Sequence, residues 1–208
     1  MPSSAALLVC AASLVVTLAA CGSDSETAAT SSSPSTSAMA DLLPPSSAPV
    51  TPASAATCPT AAPQNAGAPE WTLPGTTGSV AVTGSTDSAA PDVKVEAPFS
   101  VTETQVQTLK PGDGPVVADT AAVTVCYMGV NGRDGSVFDN SYERGEPVEF
   151  PLDGVVPGFQ KAIAGQKVGS TVAVAMTSAD GYPEGQPAAG IEPGDSLVFA
   201  IKILEATN

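Results

Sequence analysis

Apolar and polar residues alternate regularly only from near Asp92 onward, and this alternation predicts short strands separated by turns. Residues Phe99 to Leu109 are rich in alternating Val and Thr, and they end at the turn sequence Pro111-Gly112-Asp113-Gly114. A second strand is predicted from Ala122 to Val130, where the turn Asn131 to Gly135 follows. The first predicted elements of the C-terminal half are therefore strands, which indicates a β-rich domain.

The remaining strands are shorter or have one clearly apolar face. Short strands are predicted at Val137-Phe138 and at Val148 to Phe150. Two further strands carry apolar residues at every second position, namely Val172, Val174 and Met176 in one, and Leu197, Phe199, Ile201 and Ile203 in the other. One face of each of these strands is thus expected to be buried.

A single short helix is predicted after Pro157-Gly158 and ends before Gly165. Phe159 and Ile163 are four residues apart, so they share one face of it. A helix of about two turns is not stable unless it packs on something. We therefore predict an α+β fold in which an antiparallel β-sheet wraps around one short helix.

The N-terminus has the pattern of an export signal. Leu7 to Ala20 is an apolar run of signal-peptide length, too short to span a bilayer comfortably. It ends in Leu18-Ala19-Ala20-Cys21, which resembles the lipobox of bacterial lipoproteins. We expect residues 1–20 to be a signal peptide and Cys21 to carry the lipid. The alternative, an uncleaved membrane anchor, places the protein on the same extracytoplasmic side of the cell membrane.

Between the signal and the β-rich part lies a predicted tether, residues 21–91. Gly22 to about Thr57 is of low complexity and poor in aromatic residues, so it is expected to be disordered. The later part, residues 58–91, holds the single Trp71 and a weak strand pattern at Ser79 to Thr83. We expect this later part to lie along the folded domain, which is assigned to residues 92–208.

Composition excludes several classes of function. The formal net charge is −14, and a polyanionic surface repels phosphate backbones, so nucleic acid is not an expected partner. The chain has no His, which removes the commonest general base and the commonest metal ligand. We expect no cofactor, no metal and a monomeric protein.

Two cysteines remain after Cys10 and Cys21 are assigned to the signal and the lipid. Cys58 and Cys126 are candidates for a disulfide, since paired thiols in an oxidising compartment favour bonding. Cys126 lies between Val125 and Tyr127 and therefore points away from the predicted core. A bond to Cys58 would fasten the tether across the outer face of the sheet. Two free thiols are the alternative.

Several motifs in register resemble the FKBP-type peptidyl-prolyl cis/trans isomerases over about Thr104 to Ala206. They are Tyr127-Met128-Gly129, Asp134 to Ser141, Pro147 to Leu152, Val155 to Phe159, Ala164 to Gly169, Gly181-Tyr182, Ile191-Glu192-Pro193 and Leu197-Val198-Phe199. The resemblance implies the FKBP-like fold. It also implies an isomerase, with full or reduced activity, that acts on X–Pro bonds of Pro-containing polypeptide clients. Together with the lipobox it implies a bacterial lipoprotein, with an actinobacterial source expected.

The resemblance also implies a binding pocket. Phe159 would be its floor, and Asp139 and Tyr182 its polar, catalytic members at the rim. Its walls would be Tyr127, Phe138, Val155, Val156, Ile191 and Phe199. Taken singly, the aromatic residues among these would be core residues of any small β-rich domain, so only their joint order favours a site.

Two departures from the family pattern leave a second function open. Val148 stands where the family usually has an aromatic residue, which would make one pocket wall smaller. The loop Pro183 to Gly190 is stiffer and more acidic than the usual Gly-rich loop. The alternative to an isomerase is therefore a tethered, non-catalytic module that binds Pro-containing segments of a partner.

Overall fold

The computed structural model describes residues 56–63 and 68–207. The predicted signal peptide, Cys21 and most of the early tether lie outside the described residues. Within them, no helix has both the length and the apolar character needed to cross a membrane.

The described part contains nine strands and two α-helices. In chain order they are β1 (Trp71–Pro74), β2 (Thr77–Thr83), β3 (Asp92–Ser100), β4 (Gln105–Lys110), β5 (Ala122–Asn131), β6 (Val137–Asn140), α1 (Ser141–Arg144), β7 (Val148–Pro151), α2 (Pro157–Ile163), β8 (Thr171–Met176) and β9 (Leu197–Thr207). Short 3-10 turns occur at Leu152–Gly154, Ser178–Asp180 and Pro187–Ala189.

The main sheet has six strands, all paired antiparallel, in the order β4-β8-β9-β5-β6. Strand β7 pairs with the first part of β5, and β6 pairs with its last part. The helix α2 packs on the inner face, where Ile163, Val174 and Ile201 are fully buried in one cluster. The predicted α+β fold, with an antiparallel sheet around a short helix, is confirmed.

A second sheet of three antiparallel strands, β1-β2-β3, covers the outer face of the main sheet. Its side chains Val80, Val82 and Phe99 are buried against small residues of the main sheet. Those small residues are Ala173, Ala175, Val198 and Ala200. Because alanines leave the backbone accessible, two sheets can approach closely and bury apolar surface between them.

The second sheet corrects one expectation and bears on another. Phe99 to Leu109 is not one strand, because β3 ends at Ser100 in one sheet and β4 begins at Gln105 in the other. The predicted domain start at Asp92 coincides with the start of β3, yet this strand pairs with β2, which lies before it. Residues 71–83 thus lie along the domain, as expected for the later part of the tether.

Cys58 and Cys126 form a disulfide, with their sulfur atoms 2.01 Å apart. Both are buried with Tyr142 in a small cluster on the outer face. The segment around Cys58 is held further by backbone hydrogen bonds, from the Cys58 N–H to the Gly145 carbonyl at 3.2 Å and from the Ala90 N–H to the Ala61 carbonyl at 2.9 Å. Residues 56–63 thus run along the domain beside α1.

Candidate functional site

A cavity of about 360 Å³ opens on the inner face of the main sheet, beside the N-terminal end of α2. Its lining is mostly aromatic and aliphatic, with one carboxylate and two phenols. The lining residues are Tyr127, Phe138, Asp139, Phe150, Gly154, Val155, Val156, Phe159, Tyr182 and Phe199. A concave, mainly apolar site with few polar groups is typical of ligand-binding pockets.

Phe159 is the floor of the pocket and is only 5% exposed. Its ring makes edge-to-face contacts with three others, at centroid distances of 5.7 Å to Tyr127, 5.4 Å to Phe150 and 5.2 Å to Phe199. Edge-to-face packing at these distances is the favoured geometry for aromatic pairs, so the floor is held rigidly. Pro157 occupies the first turn of α2 and sets the direction in which Phe159 enters the pocket.

The Tyr127 hydroxyl donates a hydrogen bond to Asp139, and the Arg144 guanidinium donates another at 2.8 Å. Burial acts to raise the pKa of Asp139, but the hydrogen bonds from Tyr127 and Arg144 outweigh it, so the pKa lies below its usual value. Burial, with the hydrogen bond to Asp139, raises the pKa of Tyr127 to about 12. At neutral pH the rim therefore holds an ionised carboxylate and a neutral phenol.

Two donors at the pocket have no hydrogen-bond partner in the part of the chain that the structure describes. The Tyr182 hydroxyl makes no hydrogen bond to any described residue, although its ring lines the cavity. The Val156 N–H donates no backbone hydrogen bond within the described ranges, because Val156 precedes the first turn of α2. Both groups are available to a carbonyl oxygen of a bound peptide.

Gly129 lets two aromatic walls lie across β5. A Cβ at this position would lie 2.7 Å from Phe138 Cζ and 2.8 Å from Phe199 Cε1, closer than real contacts allow. The two rings are in edge-to-face contact at a centroid distance of 5.5 Å. The absence of a side chain at Gly129 therefore sets the shape of the pocket at this wall.

All the residues predicted for the pocket line it except Ile191. Ile191 is not among the lining residues; it is 2% exposed and packs in the core cluster that also contains Phe159 and Phe199, so its assignment to the pocket wall stays a prediction. Two lining residues were not predicted, Phe150 and Gly154. Phe150 lies two residues after Val148 on the same face of β7, and it brings an aromatic ring to the pocket from that strand.

Arg144 was also missed. It lies five residues after Asp139, and a single charged residue in a predicted loop carries no signal of its partner. The four-residue helix α1 creates the contact: Asn140 caps its start by accepting from the Tyr142 N–H, and Gly145 ends it at a φ of 73°. A helix of four residues is too short to give a periodic pattern in the sequence, so neither its start nor its end could be predicted from one.

The loop Pro183 to Gly190 is tied to the domain at its base. Gln186 and Ile191 form an isolated bridge, and the Arg133 guanidinium donates to the Gly190 carbonyl at 2.9 Å. Arg133 is itself held by the carboxylate of Asp195 at 3.3 Å. The loop beside Tyr182 is therefore an ordered feature of the pocket's surroundings.

Comparison with known proteins shows the family of the chain. Residues 114–204 match the family model described as FKBP-type peptidyl-prolyl cis-trans isomerase. The chain is 36% identical over 98 residues to the probable FK506-binding protein of Corynebacterium glutamicum, a match covering 46% of this chain and 80% of that protein. The chain therefore belongs to the FKBP-type peptidyl-prolyl cis-trans isomerase family.

Two Escherichia coli relatives are similar over the same region. The FKBP-type 22 kDa peptidyl-prolyl cis-trans isomerase is 40% identical over 101 residues, which is 49% of this chain and 48% of the relative. The crystal structure of FkpA superposes with a TM-score of 0.47 at 36% identity, covering 50% of this chain and 48% of that one. The chain thus spans about half the length of these two relatives.

Proposed function

We propose that this chain catalyses cis/trans isomerisation of X–Pro peptide bonds and so assists the folding of secreted or envelope proteins. The observation that carries the proposal is the apolar pocket over Phe159, which has at its edge two donors without a partner among the described residues, the Tyr182 hydroxyl and the Val156 N–H. A proline ring can lie on Phe159 while these donors bind the carbonyl oxygen of the client.

The chemistry needs no nucleophile or proton transfer. Rotation about the amide bond is opposed by resonance, with a barrier of about 18–20 kcal/mol. The planar amide has a large dipole, and the twisted transition state has lost much of it. Moving the bond from water into an aromatic cradle therefore disfavours the ground state more than the transition state, and this difference lowers the barrier.

Asp139 has a supporting part in this mechanism. Its carboxylate lines the pocket and is held by Tyr127 and Arg144, which fixes the position of the Tyr127 ring against Phe159.

Uncatalysed X–Pro isomerisation takes tens to hundreds of seconds, long enough to limit folding. A protein that shortens this step is useful wherever chains fold after export.

The test is to measure isomerisation of a short X–Pro peptide and refolding of a proline-limited protein with the full chain. Tyr182→Phe is expected to lower kcat/KM about 2- to 10-fold, since a net hydrogen bond contributes about 0.5–1.5 kcal/mol. Tyr142→Phe is the matched control: it loses the same hydroxyl from the outer face, where it bonds to Ser85, and is expected to keep its activity.

Each result separates the two candidate functions. Acceleration of both reactions, reduced by Tyr182→Phe alone, supports an isomerase that uses this pocket. Peptide binding without acceleration, lost in Phe159→Leu, indicates the tethered binding module instead. A folded chain that neither binds nor accelerates contradicts both functions.

We also propose that the protein is a bacterial lipoprotein held on the outer side of the cell membrane through Cys21. The support is the apolar run ending in Leu18-Ala19-Ala20-Cys21 and the buried Cys58–Cys126 disulfide, which suits an oxidising compartment. The similarity to the Corynebacterium glutamicum protein is in keeping with an actinobacterial source.

Metabolic labelling with a radioactive fatty acid tests the anchor. The full chain is expected to incorporate label and to sediment with membranes, and Cys21→Ala is expected to lose both properties. Cys10→Ala is the matched control, because Cys10 lies inside the predicted signal. Equal labelling of the Cys21→Ala chain would contradict the proposal.

A further inference from the structure

A second, smaller cleft adjoins the pocket. It has a volume of about 190 Å³ and is lined by Val137, Phe138, Asp139, Asn140, Glu143 and Arg144. Phe138 and Asp139 line both cavities, so the two are neighbours across these residues. The cleft is smaller than the roughly 300–1,000 Å³ of small-molecule sites, and its size suits a single side chain.

One wall of the cleft is apolar and open to solvent. Val137 is 51% exposed, one of few large apolar side chains that the described residues leave exposed. It lies on β6, which is the last strand at its end of the main sheet. An exposed aliphatic side chain beside a peptide-binding pocket offers a contact for the methylene stem of a long client side chain.

The charge of the cleft is set by Glu143. The Arg144 guanidinium is held by Asp139 at 2.8 Å, so these two opposite charges compensate each other. Glu143 is exposed and has no hydrogen bond or ion pair with the described residues. Two carboxylates against one guanidinium leave the cleft with one uncompensated negative charge.

The stretch of chain that contains the cleft residues and follows them has the same sign of charge. Between Asp139 and Asp153 the chain carries three further carboxylates, on Glu143, Glu146 and Glu149, and Arg144 is the single cation there. A basic side chain is attracted by this field, and an acidic one is repelled. The apolar wall and the free carboxylate together match a side chain with an aliphatic stem and a cationic head.

We propose that this cleft binds a lysine or arginine side chain of the client, close in sequence to the X–Pro bond in the pocket. Clients with a basic residue flanking the proline are then preferred over clients with an acidic one. The inference rests on the proposed function of the pocket, and it names the class of segment that the site selects.

A peptide series tests the preference with the full chain. Lys, Gln or Glu is placed in turn at each position near the X–Pro pair, on both sides, and kcat/KM is measured. At one position we expect Lys to exceed Gln by about two- to fivefold, the effect of one exposed ion pair, and Glu to fall below Gln. The preference is expected to weaken as salt is raised.

Two variants test whether Glu143 causes the preference for Lys. Glu143→Gln is expected to remove the preference for Lys while leaving kcat/KM for the Gln peptide unchanged. The matched control is Asp113→Asn, which removes one charge from an exposed loop packed against Val168 and Ser170, and it is expected to keep the preference.

The outcomes distinguish this inference from the proposed function. Turnover of the Gln peptide without any preference for Lys overturns the inference and leaves the isomerase intact. An equal loss of preference in Asp113→Asn also overturns it, because the net charge of the protein would then be the cause. If no peptide is turned over, the affinities of the Lys and Glu peptides are measured by calorimetry. Equal affinities overturn the inference. Tighter binding of the Lys peptide supports it, provided that Glu143→Gln removes the difference.

Discussion

Cys126 and Tyr127 are consecutive on β5 and point to opposite faces of the main sheet. The Cys126 sulfur is bonded to Cys58 in a buried cluster on the outer face, and the Tyr127 ring lines the pocket on the inner face. The Tyr127 N–H also donates to the Ser141 hydroxyl at 2.8 Å, and this hydroxyl lies 3.5 Å from the Cys58 sulfur. The covalent link and the pocket wall therefore share one stretch of backbone.

Replacing both cysteines, Cys58→Ala with Cys126→Ala, is expected to lower the free energy of unfolding by about 2–5 kcal/mol. The bond joins residues 68 apart in sequence, so its loss frees a long loop in the unfolded chain. Urea unfolding of the variant and of the oxidised parent gives the difference. Reduced parent protein serves as the control, and identical midpoints for oxidised and reduced chains would contradict the prediction.

The Asp139 carboxylate should stabilise the fold in a pH-dependent way. Its pKa is lower in the folded protein, so its contribution is present above about pH 4, the ordinary range of Asp, and is lost as pH falls through the folded value. Asp139→Asn is expected to lower stability at neutral pH by about 1 kcal/mol or less. Thermal unfolding at several pH values should show this difference shrinking in acid. A difference that grows in acid would refute the assignment.

The activity of the pocket should be nearly independent of pH between about pH 5 and pH 9. Burial and Asp139 raise the pKa of Tyr127 to about 12, and Asp139 itself is ionised throughout this range. The chain contains no His to titrate within it. A plot of kcat/KM against pH checks the expectation, and a bell-shaped profile would show that a titrating group takes part in the reaction.

The substitution Gly129→Ala is expected to distort the pocket wall that Phe138 and Phe199 form. The added methyl group would overlap Phe138 and Phe199, so both rings must move. Such overpacking is expected to cost about 1–3 kcal/mol of stability, together with a loss of kcat/KM. Adding Phe138→Leu removes the closest contact and should restore only part of the stability, because the overlap with Phe199 remains, and should not restore activity. Full activity in Gly129→Ala alone would mean that the rings can shift freely.

Phe99→Ala tests whether the second sheet is part of the folded unit. Phe99 is 2% exposed between the two sheets and distant from the pocket lining. Its truncation is expected to lower the free energy of unfolding by about 3–5 kcal/mol, with kcat/KM unchanged in the folded protein. Val106→Ala, at a position 37% exposed, is the control and should be nearly neutral. Equal stability of the two variants would show that the sheets do not fold together.

Many residues of the candidate site could be predicted from local sequence patterns and from the family resemblance. The alternation in β8 and β9 identified their inner faces correctly, and the pair Phe159 and Ile163 identified the buried side of α2. The motif order placed Asp139 and Tyr182 with Phe159, and the structure brings all three to one cavity. The inferences about β8, β9 and α2 succeeded because the period of a strand or helix decides which side chains share a face, whereas the grouping of Asp139, Tyr182 and Phe159 came from the family resemblance.

Other features depended on contacts between distant segments. Trp71 to Thr83 is rich in Thr and Gly and has only a weak strand pattern, at Ser79 to Thr83, so the pairing of its two strands depends on β3 and the alanines of the main sheet that cover them. The bridge between Gln186 and Ile191 joins two ends of a loop, and no periodic pattern in the sequence indicates it.

The amino-acid sequence by itself determined the α+β class and the buried faces of the long strands and the helix, and its family resemblance indicated most of the residues that line the pocket. Only the tertiary structure decided that residues 71–100 form a second sheet, that Arg144 holds Asp139, and that Cys58 lies against Cys126. Periodicity reports which face of an element is apolar, because it is a local property of the backbone. Which distant segment covers that face is decided by packing, and packing exists only once the chain has folded.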